Sequence, residues 1–228
     1  MKRVRETFWV WNLVLLALAM VWLVYYDRTG GLWRKGVASG WFVLLGAVNL
    51  LYARKIGCKT LRFPLLAELA LFLTMAADVL LGIHFMLGTA VFAVGHLAYF
   101  AAFCAREKFS RRDLGVTAVI GAVSLFLVLG TPLIQVEDPA MQVLLAVYAV
   151  VISCMLGKAI GNLRRSPSRT RWLLAIGGGL FWFSDLMLAL NMFGSGGHTA
   201  GTLCLYTYWP GQNLLAHALF HYANENAA

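Results

Sequence analysis

Charged residues are scarce in this 228-residue chain. They make up 13% of it, whereas 61% of the residues are hydrophobic and the mean hydropathy is +0.74. A soluble domain is about a quarter charged and roughly half apolar. No soluble core needs this much apolar surface, so the excess must face lipid. The composition excludes an ordinary soluble protein, and the membrane spans leave no room for a separate soluble domain.

Several motifs of soluble enzymes and metalloproteins are also absent. The four cysteines lie in different segments and none belongs to a Cys-x-x-Cys pair, which argues against a zinc site or a disulfide framework. The His-Glu-x-x-His, Gly-x-Ser-x-Gly and Walker patterns do not occur. We therefore expect no bound metal and interpret the cysteines as small apolar side chains.

Long apolar runs dominate what remains. A membrane-spanning helix needs about 20 mostly apolar residues, and the first run is longer than the apolar core of a signal peptide. The sequence predicts an all-α, polytopic membrane bundle of about eight transmembrane helices, forming a single transmembrane domain over residues 1–228. The predicted spans are 8–26, 36–53, 63–83, 85–104, 114–131, 140–160, 171–191 and 202–221.

Basic residues are distributed unequally between the connecting segments. If the N-terminus is inside, 16 of the 19 Lys and Arg residues fall in cytoplasmic segments, and only Arg28, Arg34 and Lys35 fall in outside loops. Cytoplasmic loops carry such an excess, which predicts an even number of spans with both termini in the cytoplasm. The same rule explains the net charge of +9, so we expect no nucleic-acid partner.

A short sequence match indicates an internal repeat. Asp78-Val-Leu-Leu-Gly-Ile in the third span resembles Asp185-Leu-Met-Leu-Ala-Leu in the seventh. An offset of four spans makes both copies run in the same direction, as in a parallel repeat. The match predicts a 4+4 arrangement with repeats over residues 1–104 and 114–221.

Three acidic residues, Glu68, Asp78 and Asp185, fall inside predicted spans. A charged side chain at mid-membrane costs at least about 2.5–3.5 kcal/mol, and such residues usually face the protein interior and mark a function. The alternative is a neutral acid that pairs two helices. Counting about 1.5 Å per residue from the inner boundary places Asp78 and Asp185 in the outer third of the membrane. Glu68 lies closer to the cytoplasm, as a helix-pairing or inner-cavity residue.

Polar residues on the fourth and eighth spans are candidate partners. His96 and Tyr99 are three residues apart on one helix, and the tight turn before that helix brings them towards Asp78 as an acid–histidine–phenol cluster. Tyr208 and Gln212 share a face of the eighth span, and Ser184 precedes the second aspartate.

The eighth span also contains Pro210-Gly211. This pair predicts a broken helix of the kind that lines a cavity. Together with the acids, it predicts one pocket between the third, fourth, seventh and eighth helices.

Residues of two pairs of neighbouring spans, the third with the fourth and the seventh with the eighth, resemble the YhhN family of membrane proteins, which includes the lysoplasmalogenases. The elements that carry the resemblance are Ala77-Asp78, Phe85-Met-Leu-Gly88, Phe92, His96-Leu-Ala-Tyr99, Phe183-Ser184-Asp185, Tyr206-Thr-Tyr208 and Gln212. The resemblance implies hydrolysis of the vinyl ether bond of lysoplasmalogens, to a fatty aldehyde and a glycerophospho-alcohol. It implies Asp78 and Asp185 as the catalytic pair, a lysophospholipid substrate among the membrane lipids, and no metal or organic cofactor.

Vinyl ether cleavage suits two buried carboxylates on chemical grounds, because one acid must give a proton and an anion must stabilise the resulting cation. Burial and mutual repulsion favour the protonated form of one of them. We expect His96, Tyr99, Ser184, Tyr208 and Gln212 to bind the substrate, in a bacterial cytoplasmic membrane rather than an organelle membrane. The sequence leaves the oligomeric state and the choice of acid open.

Two other functions fit the same residues. A proton-coupled transporter or lipid carrier would also have repeated spans and intramembrane carboxylates. A non-catalytic membrane scaffold would tolerate replacement of both aspartates.

Overall fold

The computed structural model describes residues 2–227, and helices form almost all of this range. Its only extended pairing within that range is an isolated antiparallel bridge between Ile134 and Gly194. The predicted all-α bundle is therefore confirmed. In chain order the helices are α1 (Lys2–Thr29), α2 (Leu32–Lys55), α3 (Arg62–Leu81), α4 (Phe85–Arg106), α5 (Arg111–Leu129), α6 (Pro139–Arg165), α7 (Arg169–Phe193) and α8 (Gly197–Glu225).

Helices α1 to α7 are long and apolar enough to cross a membrane. Helix α8, with 29 residues, is about 43 Å long at 1.5 Å per residue. It is richer in polar residues, and its C-terminal half is almost entirely buried against other helices. A membrane helix can carry polar groups where it packs inside the bundle. The chain is a multi-pass membrane protein, while the eighth crossing and the cytoplasmic termini stay predictions.

The α1–α2 turn is shorter than the sequence predicts. Gly30 and Gly31 have φ angles of 57° and 95°, a left-handed region that glycine adopts without steric cost. This turn lets α2 begin at Leu32 rather than near residue 36. Lys35 therefore lies in the first turn of α2, and the prediction that it belongs to an outside loop is wrong.

The α3–α4 connection is the predicted tight hairpin. Only residues 82–84 separate the helices, and His84 Nδ1 accepts a hydrogen bond from the Leu87 backbone N–H at 3.3 Å. Gly88 lies directly on the end of α3, where a Cβ would come within 2.7 Å of Leu81 Cα. Glycine is thus required for the two helices to approach this closely.

The eighth helix is continuous, so the prediction of a helix broken at Pro210-Gly211 is wrong. Pro210 lies inside α8, because the bundle and local backbone adjustment accommodate proline in membrane helices. Gly211 has a different use: a Cβ there would lie 3.0 Å from the carbonyl oxygen of Gly177 on α7. Two glycines therefore form the close crossing of α7 and α8.

Helix pairing follows a four-plus-four pattern. Neighbours in sequence pack together within α1–α4 and again within α5–α8. Between the halves, α2 packs on α8 and α4 packs on α6, which are equivalent contacts if α2 corresponds to α6 and α4 to α8. This is the pairing that a parallel repeat requires, and the repeat boundaries themselves stay a prediction. The exception is α8, which also touches α1 and α3.

Candidate active site

Asp185 on α7 is the centre of a three-residue polar cluster. The Tyr148 hydroxyl of α6 donates a hydrogen bond to Asp185 Oδ2 at 2.6 Å. His96 Nε2 of α4 lies 3.2 Å from the same oxygen and 2.8 Å from the Tyr148 hydroxyl. Three helices thus hold an acid, an imidazole and a phenol in mutual hydrogen-bonding contact.

A narrow cavity adjoins this cluster. Its volume is about 60 Å³, which is room for a few water molecules. Asp185 and Tyr148 are polar groups in a wall that is otherwise mostly apolar, with Phe92 and Trp182 among the lining side chains. The Asp185 side chain retains 13% exposure, whereas that of His96 has none. Asp185 is therefore an acid that a molecule in the cavity can reach.

The two oxygens of Asp185 have different surroundings. Oδ2 is engaged by both Tyr148 and His96, but the nearest hydrogen-bonding group that residues 2–227 offer Oδ1 is the Ser184 hydroxyl at 3.5 Å. That hydroxyl donates a better hydrogen bond to the Phe181 carbonyl oxygen at 2.7 Å. Asp185 Oδ1 is consequently available to a proton or a ligand.

Asp78 on α3 has a separate set of partners. Lys35 Nζ lies 2.9 Å from its Oδ1, and the Ser39 hydroxyl donates a hydrogen bond to its Oδ2. Trp209 Nε1 of α8 donates in turn to the Ser39 hydroxyl at 3.2 Å. Both carboxylate oxygens of Asp78 are thus occupied.

The two clusters have the same arrangement of contacting groups. In each, an aspartate contacts a hydroxyl of the preceding helix, and that hydroxyl contacts a ring nitrogen of a helix from the other half. The first cluster is Asp78 with Ser39 and Trp209, and the second is Asp185 with Tyr148 and His96. They differ in that a lysine pairs with the first aspartate, whereas a cavity adjoins the second.

The pocket differs from the one that the sequence predicts. The lining residues of the cavity come from α3 to α7, with α5 and α6 taking the place expected for α8. Asp78 is not among them, because its side chain turns to α2 instead. The two aspartates therefore lie at separate polar clusters and do not line this cavity together.

Tyr208 lies between the two clusters. Its ring centroid is 5.9 Å from that of Phe92 and 5.3 Å from that of Phe181. Its ring centroid is also 5.9 Å from that of Trp209 in the first cluster, and its buried hydroxyl has no hydrogen-bond partner within residues 2–227. A buried hydroxyl usually has a partner, which indicates that this one meets a water or ligand atom.

The predicted acid–histidine–phenol cluster exists with different members. His96 contacts Asp185 and Tyr148 rather than the first aspartate. Tyr99 turns away and donates a hydrogen bond to Gln212 Oε1 at 2.6 Å. Residues three apart on a helix differ by about 60° in direction, so the pair meets two different neighbouring helices. Tyr99 and Gln212 join α4 to α8 below the site.

Three residues of the clusters were not predicted as site residues from the sequence: Tyr148, Lys35 and Ser39. A tyrosine or serine in a span gives no signal by itself, because either can be satisfied by its own helix. Lys35 could have been found by its spacing, since a lysine one turn before Ser39 shares its helix face. Its position so close to the predicted membrane boundary made the loop interpretation the simpler one.

Glu68 is not part of either cluster. Its partly buried side chain faces Gly46 of α2, and its Oε2 has no hydrogen-bond partner in the described range 2–227. It does not line the cavity beside Asp185. Its position at the α2–α3 contact agrees with the helix-pairing alternative.

Fold and site together define a polytopic helical membrane protein with two buried aspartate clusters, one of which adjoins an apolar cavity. The chain belongs to the YhhN family, whose model matches residues 40–219. It is similar to the human lysoplasmalogenase TMEM86A, with 33% identity over 136 residues, which are 58% of this chain and 54% of the human protein. The chain thus spans about half the length of that curated relative. No solved structure matches it.

Proposed function

We propose that this chain is an intramembrane hydrolase that cleaves the vinyl ether bond of lysoplasmalogen lipids. The observation that carries the proposal is the Asp185 carboxyl group, held by Tyr148 and His96 at the wall of an apolar cavity. The YhhN match and the similarity to a protein named lysoplasmalogenase support it.

The reaction needs an acid, water and no redox partner. A proton adds to the outer alkene carbon, and the carbon–carbon π bond becomes a C–H bond and an oxocarbenium ion. Water attacks the carbon that bears the oxygen and loses a proton to the carboxylate, which restores the acid. The hemiacetal then breaks its bond to the glycerol oxygen, as the hydroxyl proton passes to that oxygen. The products are a fatty aldehyde and a glycerophospho-alcohol.

Asp185 is the proposed proton donor. Its Oδ1 is open, whereas Tyr148 and His96 fix the orientation of Oδ2. A general acid must lie within hydrogen-bonding reach of the atom that it protonates. The cavity has room for the few atoms around the vinyl ether bond, which would lie beside this oxygen, and the apolar wall suits the carbon chain that follows.

Asp78 has a proposed positioning role. Its two carboxylate oxygens are engaged by Lys35 and Ser39, so it presents no free oxygen to a substrate. Through Ser39 it also ties α2 and α3 to Trp209 of α8, the residue next to Tyr208, whose hydroxyl, unpartnered within residues 2–227, is proposed to orient the attacking water. Asp78 thus acts by positioning these helices, and only Asp185 touches the reacting carbon.

Substrate depth agrees with this assignment. Asp78 lies three residues before the end of α3, and Asp185 eight residues before the end of α7. These offsets correspond to about 5 Å and 12 Å along the helices. The vinyl ether of a lysolipid adjoins its glycerol, just below the headgroup. A lysophospholipid entering from the predicted outer face would therefore bring that bond to the level of Asp185.

The proposal predicts release of fatty aldehyde when purified protein is given a 1-alkenyl lysophospholipid in detergent micelles. The matched 1-acyl lysophospholipid, with an ester in place of the vinyl ether, should release neither aldehyde nor fatty acid, because the site offers no nucleophile for an ester. The measurement is aldehyde by mass spectrometry over time. Proton-dependent flux of the lipid in liposomes without any aldehyde would instead support a transporter.

A further inference from the structure

A second, positively charged site lies at the opposite end of the bundle, between the start of α5 and the end of α6. It is a groove of about 410 Å³ lined by Arg112, Val116, Gly161, Arg164 and Arg165. This volume is in the range of ligand sites, about 300–1,000 Å³. The groove is separate from the Asp185 cavity and has no residue in common with it.

The base of the groove is rigid. Arg165 contacts Asp113 and the Ser110 hydroxyl, and its Nη1 lies 2.9 Å from Glu107. Lys158, which has no exposed side-chain surface, lies 3.0 Å from Asp113. The two local carboxylates are therefore already neutralised and do not offset further positive charge.

The rim of the groove carries uncompensated charge. Arg112 and Arg164 are exposed and form no ion pair with any residue in 2–227. The Nε of Arg165 is buried and has no hydrogen-bond acceptor in the same range. Three guanidinium groups around one groove, with an unused donor at its base, suit a phosphate oxygen.

The surroundings indicate a lipid as the source of that phosphate. Within residues 2–227, most of the packing of helix α5 is against α6. Its outer face exposes large apolar side chains, Leu114, Val119 and Phe126 among them. An anionic lipid whose headgroup lies in the groove would have its acyl chains along this face of α5. Basic pockets between membrane helices bind anionic headgroups in this way.

We infer that the groove of Arg112, Arg164 and Arg165 binds the headgroup of an anionic phospholipid, with the lipid tails on the exposed face of α5. The site is independent of the proposed hydrolysis. Its ligand is a structural lipid of the surrounding leaflet and not a substrate.

The test is binding of phosphatidylglycerol to purified protein in neutral detergent, measured by native mass spectrometry and by the rise in melting temperature. Removing two rim charges in the Arg112→Gln/Arg164→Gln variant should weaken binding about 30-fold. This factor corresponds to a binding free energy of about 1 kcal/mol from each basic residue near an anionic lipid. The matched control is Arg54→Gln/Lys59→Gln, which removes two exposed charges from the end of α2 and the segment that follows it and should bind as the wild type does. Phosphatidylcholine and inorganic phosphate should give no melting shift.

Equal weakening in both double variants would overturn the inference, because binding would then depend only on net charge. Unchanged binding in Arg112→Gln/Arg164→Gln would do the same. A full melting shift with inorganic phosphate alone would assign the groove to a soluble anion. Aldehyde release is expected to be the same in both variants, so the result is separate from that of the proposed function.

Discussion

Replacing Asp185 with asparagine is expected to lower the rate of aldehyde release by about 10²–10⁴, the usual contribution of a general acid. An amide keeps the shape of the carboxyl group and can still accept the Tyr148 hydrogen bond, but it cannot give a proton to carbon. The measurement is the initial rate per folded protein, with folding checked by melting temperature and gel filtration. Asp78→Asn should cost less, about tenfold, because Asp78 does not reach the cavity.

The matched control for both changes is Glu68→Gln. It makes the same carboxyl-to-amide replacement inside the same bundle, at a residue outside the cavity wall. Its rate should stay within about twofold of the wild type, as expected for a change that touches no catalytic contact. Full activity of folded Asp185→Asn would eliminate the proposed donor. A loss as large in Glu68→Gln would show only that the bundle tolerates no such change.

The largest loss of stability is expected from Lys158→Met. Lys158 and Asp113 have no exposed side-chain surface, and Lys158 Nζ also donates a hydrogen bond to the Lys108 backbone carbonyl. Removing one partner of a buried pair costs about 3–5 kcal/mol, because the other charge stays buried with less compensation. The pair joins α5 to α6, and the hydrogen bond to Lys108 ties the α4–α5 connection to α6. The free energy of unfolding in mixed micelles measures the effect.

A same-helix control and a double variant separate charge from packing. Arg164→Met removes an exposed cation from the same helix and should change stability by less than about 0.5 kcal/mol in neutral detergent. Adding Asp113→Leu to Lys158→Met should cost less than the sum of the two single changes, because both single changes remove the same Lys158–Asp113 interaction. Additive losses in the double variant would contradict a stabilising ion pair.

Hydropathy was enough to predict the fold, because a lipid-facing helix leaves a long apolar run that nothing else explains. The α3–α4 hairpin followed from the short segment around His84. The continuous α8 did not follow, since proline and glycine are helix breakers in water, while a bundle can satisfy the backbone groups they free. The predicted start of α2 was too late. Hydropathy does not show that Gly30 and Gly31 adopt positive φ angles, which allow a shorter turn.

Some individual residues of the site could be predicted from the sequence, but the contacts between them could not. A buried carboxylate is costly enough to be noticed from sequence alone, and Asp78 and Asp185 stood out for that reason. Which helix each faces depends on how the two halves pack, and a single sequence gives only weak evidence on that. His96 was therefore paired with the wrong acid. Lys35, which separates the roles of the two aspartates, was assigned to a loop.

The most direct measurement of the central claim is the position of deuterium in the product. Wild-type protein is given a 1-alkenyl lysophospholipid in D₂O, and the aldehyde is reduced to the alcohol as it forms so that no later exchange occurs. Protonation of the outer alkene carbon by an exchangeable acid predicts one deuterium on the carbon next to the former carbonyl carbon, and Asp185→Asn should produce almost none of this product. Aldehyde without deuterium at that carbon, or labelled aldehyde formed at an undiminished rate by Asp185→Asn, would contradict the account.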